Sequence, residues 1–190
     1  TQPAPLWNSV VADVSDFTWN DSSWMAERKK YDDRRQPVSI YETSLGQWKS
    51  GKELVAFAKE KGYTHVELHP VMEFLEDGSD GYPTSAYFAV STRYGTPAEF
   101  AALVDELHQV GIGVILDWSP AQFPRYAGGL EKFDGTPLYE VKDPEMAVHP
   151  MWGTMLYNYD SPMVMDFLIS NACFWLEVFH VDGLRMDDVD

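Results

Sequence analysis

The sequence has very little cysteine, few basic residues and no long apolar run. Its single cysteine, Cys173, cannot form an internal disulfide, so we expect a small side chain buried in a helix of a protein from a reducing compartment. Lys and Arg number 14 against 30 Asp and Glu, and a net charge of −16 would repel phosphate backbones and anionic lipid surfaces. No apolar run approaches the roughly 18 residues of a membrane helix. We expect a cytoplasmic protein that binds neither nucleic acid nor membranes.

Signatures of several enzyme classes are also missing. No glycine-rich phosphate loop follows a predicted strand, and no strand-to-helix elbow carries a serine or cysteine nucleophile. His65 and His69 are four residues apart on a predicted strand, roughly 13 Å along its axis, so they cannot bind one ion together. The sequence therefore predicts no metal and no cofactor.

The chain does contain a regular alternation of elements. Residues 1–37 lack sustained periodicity and predict a linker, whereas from residue 38 short apolar runs alternate with amphipathic helices, which is typical of βαβ units. The predicted strands are 38–42, 64–69, 113–117 and 181–187. The predicted helices begin after Ser50, Thr96 and Ser161 and end at Gly62, Gly111 and Phe179.

The connections between these elements differ greatly in length. Each helix returns to the next strand through one or two residues, but the segments 70–95 and 118–160 that follow strands are long. Elaboration after the carboxyl ends of strands is how a (β/α)8 barrel builds an active site. We therefore predict a partial (β/α)8 TIM barrel of about four βα units, in a chain of 190 residues against the roughly 250 of a whole barrel. A doubly wound sheet is the second candidate fold.

Two predicted strands end in carboxylates, Asp117 and Asp187. Residues two apart on a strand share a face, so Arg185 and Asp187 point the same way, and a neighbouring arginine keeps an aspartate ionised, as a nucleophile requires. An ordinary ion pair that closes the strand explains the spacing equally well. Other acids lie near strand ends with no supporting context and are expected on the surface or in the barrel core: Glu42, Glu67 and Glu73.

From residue 38 onward the sequence resembles the branching enzymes of the α-amylase superfamily. The matching stretches are 39–42 (SIYE), 64–68 (THVEL), 70–73 (PVME), 93–97 (RYGTP), 111–118 (GIGVILDW), 133–136 (FDGT), 152–154 (WGT) and 182–185 (DGLR). The resemblance implies that Asp187 is the nucleophile of a retaining glucanotransferase and that Arg185 orients it. It further implies that Tyr82 stacks on the sugar, that Asp117 holds the motif at its strand end together, and that residues 1–37 follow a carbohydrate-binding β-sandwich, with the catalytic barrel in 38–190.

The sequence departs from the family pattern in three places. Gln122 stands where the family has a sugar-binding histidine, and Asp188 stands where a small residue usually follows the nucleophile; strand alternation aims Asp188 away from the site. By the resemblance, the general-acid glutamate and a third aspartate belong to strands beyond Asp190. We therefore expect the 190-residue chain alone to be inactive and to self-associate through uncovered strand edges.

The expected substrate is a neutral polysaccharide, α-1,4-glucan, as in glycogen synthesis, and the full-length protein is expected to be a monomer. Rings in polar stretches suit sugar faces, although packing under long loops is the alternative: Trp48, Tyr82, Tyr87, Tyr126, Tyr139, Trp152 and Tyr157. An α-glucan hydrolase of the same superfamily and a non-catalytic glucan-binding remnant are the competing functions, because no residue distinguishes an acceptor sugar from water.

Overall fold

A computed structural model describes residues 11–30 and 35–189 and contains one principal sheet. Its strands are β1 (Ile40–Thr43), β2 (His65–Leu68), β5 (Gly113–Trp118) and β8 (Gly183–Met186). They are parallel and lie in the order β1-β2-β5-β8. This order follows the chain without reversal, as in a (β/α)8 barrel, whereas a doubly wound sheet reverses at its switch point. The four predicted strands are confirmed, and every strand end lies within two residues of its prediction.

Helices follow three of these strands. They are α2 (Gly51–Lys61), α3 (Pro97–Gln109) and α4 (Pro162–Val178). The starts were predictable because the Ser50 side chain accepts a hydrogen bond from Glu53 N, and Thr96 forms a complete capping box with Glu99. Helix α2 ends at Gly62, whose φ of 75° is favourable for glycine. No helix in the described ranges is long and apolar enough to span a membrane.

The two faces of the sheet differ in chemistry. Val66, Leu68, Val114 and Leu116 are fully buried in the same core cluster as helix residues such as Leu54, Val104 and Trp175. The alternate positions carry mainly charged and polar side chains, which lie on the opposite face of the sheet: Glu42, His65, Glu67, His69, Asp117 and Arg185. The strand period of two therefore places the chemistry on one face and the helix packing on the other.

Cys173 is exposed, so the prediction of a buried small side chain is wrong. The helical position itself is confirmed, because Cys173 lies in α4. That helix turns Val164, Leu168, Asn171 and Trp175 towards the core, at helical spacings of three and four residues. Cys173 falls between the last two of these and therefore on another face of the helix.

The N-terminal segment contains a short helix that the sequence pattern does not predict, α1 (Ser22–Arg28). It has no buried residue of its own within the helix, but two of its side chains reach the start of β8: Trp24 Nε1 and Arg28 Nη1 both donate to Asp182 Oδ1, at 2.8 and 3.0 Å. Thus the segment just before residue 30 packs on the amino-terminal end of the sheet. Residues 1–10 of the predicted linker lie outside the described residues, and the division of the chain at residue 37 stays a prediction.

The two long connections are compact and partly strand. Residues 70–95 contain the antiparallel pair β3 (Met72–Phe74) and β4 (Thr84–Val90), and residues 118–160 contain β6 (Gln122–Phe123) and β7 (Met155–Leu156). The second connection is fixed by Phe123 and Tyr157, both buried, with ring centroids 4.7 Å apart. Both connections extend from the carboxyl ends of the parallel strands, as the sequence predicts.

Candidate active site

A charged cluster lies at the carboxyl ends of β5 and β8. Asp117 and Arg185 face each other in register across these strands, and the Asp187 amide continues the ladder by donating to Trp118 O at 3.0 Å. Arg185 Nη1 lies 3.0 Å from Asp187 Oδ1 and 3.2 Å from Asp117 Oδ2. The predicted contact between Arg185 and Asp187 is therefore present, and the guanidinium bridges the two carboxylates.

Asp117 is the buried anchor of this cluster. Its side chain is fully buried, whereas Arg185 is 44 % and Asp187 27 % exposed. A buried carboxylate is stable only when cations and donors surround it, and here Arg185 and the Tyr82 hydroxyl both bind its Oδ2. Asp117 thus fixes the guanidinium, and the guanidinium in turn positions the more accessible Asp187.

Tyr82 joins the cluster from the connection between β3 and β4. Its hydroxyl donates to Asp117 Oδ2 at 2.5 Å and lies 3.4 Å from Arg185 Nη1. Burial, followed by the hydrogen bond to Asp117, raises the pKa of Tyr82 well above that of a free phenol, so the hydroxyl remains a donor at neutral pH. The preceding turn requires Gly81, because φ is 89° and a Cβ atom there would lie 2.7 Å from Pro70 O.

A cavity of about 680 Å³ opens above this cluster. Its wall includes Tyr82, Gln122 and Asp187 among the predicted site residues, whereas Asp117 and Arg185 are not part of the wall. Other lining residues come from the long connections and the end of β8: Ser79, Asp80, Pro83, Ser119, Phe123, Trp152, Thr154 and Asp188. The cavity is large enough for a sugar unit, and Asp187 is one of the residues that line it.

Asp188 points into this cavity, so the expectation that it faces away is wrong. The strand ends at Met186, and Asp188 has a φ of 55°, in the left-handed region that aspartate tolerates better than most side chains. Strand alternation therefore does not continue to this position. Asp188 Oδ2 accepts a hydrogen bond from Gln122 Nε2, and Gln122 Oε1 accepts one from Thr154 Oγ1.

The three additional acids have different surroundings. Burial, followed by the charges of Asp117 and Glu42, raises the pKa of Glu67, whose Oε1 lies 3.9 Å from Arg185 Nε on the same face of the sheet. Glu73 forms an ion pair with Arg93 and accepts hydrogen bonds from Ser91 and Thr92, which is a structural role. Glu42 pairs with His69 at 3.1 Å. The barrel-core interpretation fits Glu67 and the surface interpretation fits Glu42, whose side chain is 60 % exposed. Neither fits Glu73, which is only 15 % exposed and lies in β3, outside the principal sheet.

One group of side chains has a spacing that could hold a cation. Ligand atoms of Glu42, His69 and Asp117 lie within 4.8 Å of one another. These residues belong to the ends of three different strands, so no spacing along one strand predicts the group. Glu42 and His69 already bind each other, however, and Asp117 Oδ2 already binds Arg185 and Tyr82. We assign no metal to these residues.

The seven aromatic residues expected near sugars divide into two groups. Tyr87 and Tyr157 are buried in the core cluster, which agrees with packing under the loops. Trp48 and Tyr139 pack against that cluster, and the Tyr126 hydroxyl donates to Ser85 O. Tyr82 and Trp152 line the cavity, and Trp152 is 64 % exposed. Only these last two have faces available to a sugar in this cavity.

A polar network at the opposite end of the sheet was not predicted. Asp182, just before β8, accepts hydrogen bonds from Trp24, Arg28 and the Val114 amide, and contacts the fully buried His108 ring, which also reaches Asp21. These residues are far apart in sequence, so no local pattern could bring them together. The only signal was the unusual density of polar and tryptophan residues in 13–28.

Residues 17–120 match the family model of the α-amylase catalytic domain. The chain is 50% identical over 196 aligned residues to a protein of Frankia casuarinae named 1,4-α-glucan branching enzyme GlgB, and 48% identical to one of the same name from Thermobifida fusca. Each alignment covers 100% of the chain but only 24% and 26% of the relatives, so the chain spans about a quarter of their length.

Solved structures agree on the fold. A protein of Salmonella typhimurium named as a candidate α-amylase superposes with a TM-score of 0.78 at 27% identity, covering 95% of this chain and 30% of that one. An α-amylase of Geobacillus thermoleovorans, solved with acarbose, superposes with a TM-score of 0.66 at 22% identity over 80% of this chain and 40% of that one. The partial-barrel prediction is therefore confirmed.

Proposed function

The chain belongs to the α-amylase family, and from this premise we propose that the natural protein is a 1,4-α-glucan branching enzyme. The observation that carries the proposal is Asp187, held by Arg185 and facing a cavity in a chain that aligns along its whole length with proteins named as branching enzymes. Such an enzyme cuts an α-1,4-glucan and transfers the cut chain to a 6-hydroxyl of another chain.

The proposed reaction is a double displacement with retention. The Asp187 carboxylate attacks the anomeric carbon while the α-1,4 bond breaks and a carboxylic acid gives its proton to the leaving 4-oxygen. The 6-hydroxyl of an acceptor chain then attacks the same carbon, Asp187 leaves, and the acceptor proton returns to the carboxylate that supplied the first one. The net change is one α-1,4 bond broken and one α-1,6 bond formed. We assign only the nucleophile among the described residues.

The neighbouring side chains have separable roles in this proposal. Arg185 keeps the Asp187 carboxylate directed towards the cavity and balances its charge. Asp117 holds Arg185 in place through an ion pair. Tyr82 presents its ring to the cavity and is oriented by its hydrogen bond to Asp117. Gln122 offers a neutral amide to the sugar in place of the histidine of the family pattern, so it donates without carrying charge.

The experiment compares the natural protein with its Asp187→Asn variant on amylose. We expect the wild type to lower iodine absorbance and to create α-1,6 linkages, detected by a debranching enzyme, without a matching rise in reducing ends. Asp187→Asn should lose at least about 10³-fold in rate because the amide is a far weaker nucleophile. Asp166→Asn, on the exposed face of α4, is the matched control and should behave as wild type. An active Asp187→Asn variant would refute the assignment.

Hydrolysis of α-glucan is the second candidate, favoured by the structural likeness to the Salmonella typhimurium protein. It predicts one new reducing end for each bond cleaved and no resistant α-1,6 linkages in the product. Binding without either reaction would instead support a glucan-binding remnant.

The setting of the reaction is also a proposal. We propose that the enzyme acts in glycogen synthesis in the cytoplasm, as a monomer. The high excess of acidic residues supports a neutral polysaccharide partner. Cell fractionation and size-exclusion chromatography of the natural protein test location and oligomeric state.

A further inference from the structure

Asp188 and Gln122 form a pair on the cavity wall that the α-amylase likeness does not explain. Both residues line the cavity beside Asp187, and the Asp188 side chain is 27 % exposed, as is that of Asp187. The Gln122 amide donates one Nε2 hydrogen to Asp188 Oδ2. The two residues come from different strands, β6 and the end of β8, and therefore converge through the fold.

Contacts with neighbouring residues hold each member of the pair in place. Gln122 Oε1 accepts from Thr154 Oγ1, and its backbone oxygen accepts from the Tyr87 hydroxyl at 3.0 Å. Because an ionised carboxylate can only accept hydrogen bonds, the Nε2 end of the amide is the one that faces Asp188. His149 Nδ1 accepts from the Met151 and Trp152 amides at 3.2 Å, so its neutral ring carries the proton on Nε2, 3.5 Å from Asp188 Oδ2.

The pair leaves one acceptor and one donor side by side. Among the described residues, Asp188 Oδ1 has no hydrogen-bond partner, and the second hydrogen on Gln122 Nε2 is also unused. A sugar hydroxyl is both a donor and an acceptor, so one hydroxyl can donate to the carboxylate and accept from the amide at the same time. The exposed Trp152 ring on the same cavity offers an apolar surface for the sugar ring.

We propose that Asp188 and Gln122 act as one unit that binds a single hydroxyl of the glucan next to Asp187. Asp188 is then a specificity-determining residue that supplies a charge-assisted hydrogen bond, and Gln122 positions it and completes the contact. This inference rests on the proposed function for the identity of the ligand as α-glucan. The Asp188 side chain reaches the cavity only because its backbone adopts a φ of 55°.

The test measures binding of maltoheptaose to the natural protein by calorimetry. Loss of a hydrogen bond to a charged group predicts that Asp188→Ala and Gln122→Ala each weaken binding about 10- to 100-fold. Because the two residues share one hydroxyl, Asp188→Ala/Gln122→Ala should bind no more than about 3-fold more weakly than the worse single variant. Asp166→Asn is the control for an exposed aspartate and should leave binding unchanged.

A set of monodeoxy maltooligosaccharides identifies the hydroxyl and separates binding from a merely structural effect. The wild type should bind one analogue about 10-fold more weakly than its parent, and Asp188→Ala should bind that analogue and the parent equally. If Asp188→Ala does not fold, as judged by its thermal midpoint, Asp188→Asn and Gln122→Ala give the same comparison. Unchanged binding in these variants, persistent discrimination by them, or absence of maltoheptaose binding in the wild type would each overturn the proposal.

The catalytic assay distinguishes this inference from the proposed function. A natural protein that binds maltoheptaose and loses that binding in Asp188→Ala, yet forms no α-1,6 linkage, would refute the branching activity and support the hydroxyl site. A protein that forms α-1,6 linkages and whose Asp188→Ala variant binds maltoheptaose as well as the wild type would support the branching activity and refute the hydroxyl site.

Discussion

Replacing Asp182 by Asn should destabilise the fold strongly, because this carboxylate joins three parts of the chain. Its Oδ1 accepts from Trp24 Nε1 at 2.8 Å and from Arg28 Nη1 at 3.0 Å. Its Oδ2 accepts from the Val114 amide at 2.7 Å and lies 2.9 Å from His108 Nε2. Helix α1, α3 and the strands β5 and β8 therefore meet at one side chain that is only 10 % exposed.

The expected cost follows from the geometry of these contacts. An asparagine keeps one oxygen but turns an NH₂ group towards either Trp24 and Arg28 or the Val114 amide and His108, so donors face donors whichever way the amide is placed. Removing one member of a buried ionic network costs about 3–5 kcal/mol. Because the Asp182 side chain is only 10 % exposed, water can replace few of the lost hydrogen bonds.

Urea unfolding of the natural protein at pH 7, followed by tryptophan fluorescence, measures this cost. Asp166→Asn makes the same change on the exposed face of α4 and should alter the free energy of unfolding by less than about 0.5 kcal/mol. A loss below about 1 kcal/mol in Asp182→Asn would show that the network does not carry the stability assigned to it here.

Two further predictions concern pH and the turn before Tyr82. Burial alone would raise the pKa of Asp182, but hydrogen bonds from His108, the Val114 amide and Trp24 outweigh burial, so this pKa is lowered. The pKa of Asp21 is lowered in the same way, because its contacts with His108 and His180 outweigh burial. A carboxyl whose pKa is lowered in the folded state stabilises the fold at pH values above its unfolded-state pKa of about 4, and this contribution is lost as the pH falls below about 4. The unfolding free energies of wild type and Asp182→Asn should therefore converge below about pH 4 and differ by a constant amount above about pH 6. Gly81→Ala should displace Tyr82 and reduce kcat by at least about 10-fold, since φ is 89° and the added Cβ meets Pro70 O at 2.7 Å; an unchanged kcat would show that Tyr82 does not need this turn.

Local signals in the sequence predict the principal sheet and its helices well. The capping residues Ser50 and Thr96 and the apolar run of β5 act over a few residues, so periodicity identifies them without any knowledge of the rest of the chain. The partial barrel was predicted from the lengths of the connections, and the sequential order of the four parallel strands agrees with it. Helix α1 was not predicted because it is only seven residues long and its position depends on the hydrogen bonds of Trp24 and Arg28 to Asp182, more than 150 residues away.

The candidate site was predictable only in part, for a similar reason. Strand geometry predicts that Arg185 and Asp187 share a face. The prediction is confirmed, because the hydrogen bonds between β5 and β8 continue to the Asp187 amide. The same rule failed one residue later at Asp188, where φ becomes 55° and the alternation ends. Gln122 and His149 meet Asp188, and Thr154 meets Gln122, through the fold of the 118–160 connection. No spacing in the sequence carries that information.

The most direct test of the central assignment is to trap the glycosyl-enzyme intermediate. The natural protein would be incubated with a slow-reacting fluorinated α-glucosyl fluoride, digested, and analysed by mass spectrometry. A sugar attached by an ester to Asp187, and absent from the Asp187→Asn variant, is the expected result. A sugar on another carboxylate, or an active protein that accumulates no covalent adduct under any trapping condition, would contradict the assignment of Asp187 as the nucleophile.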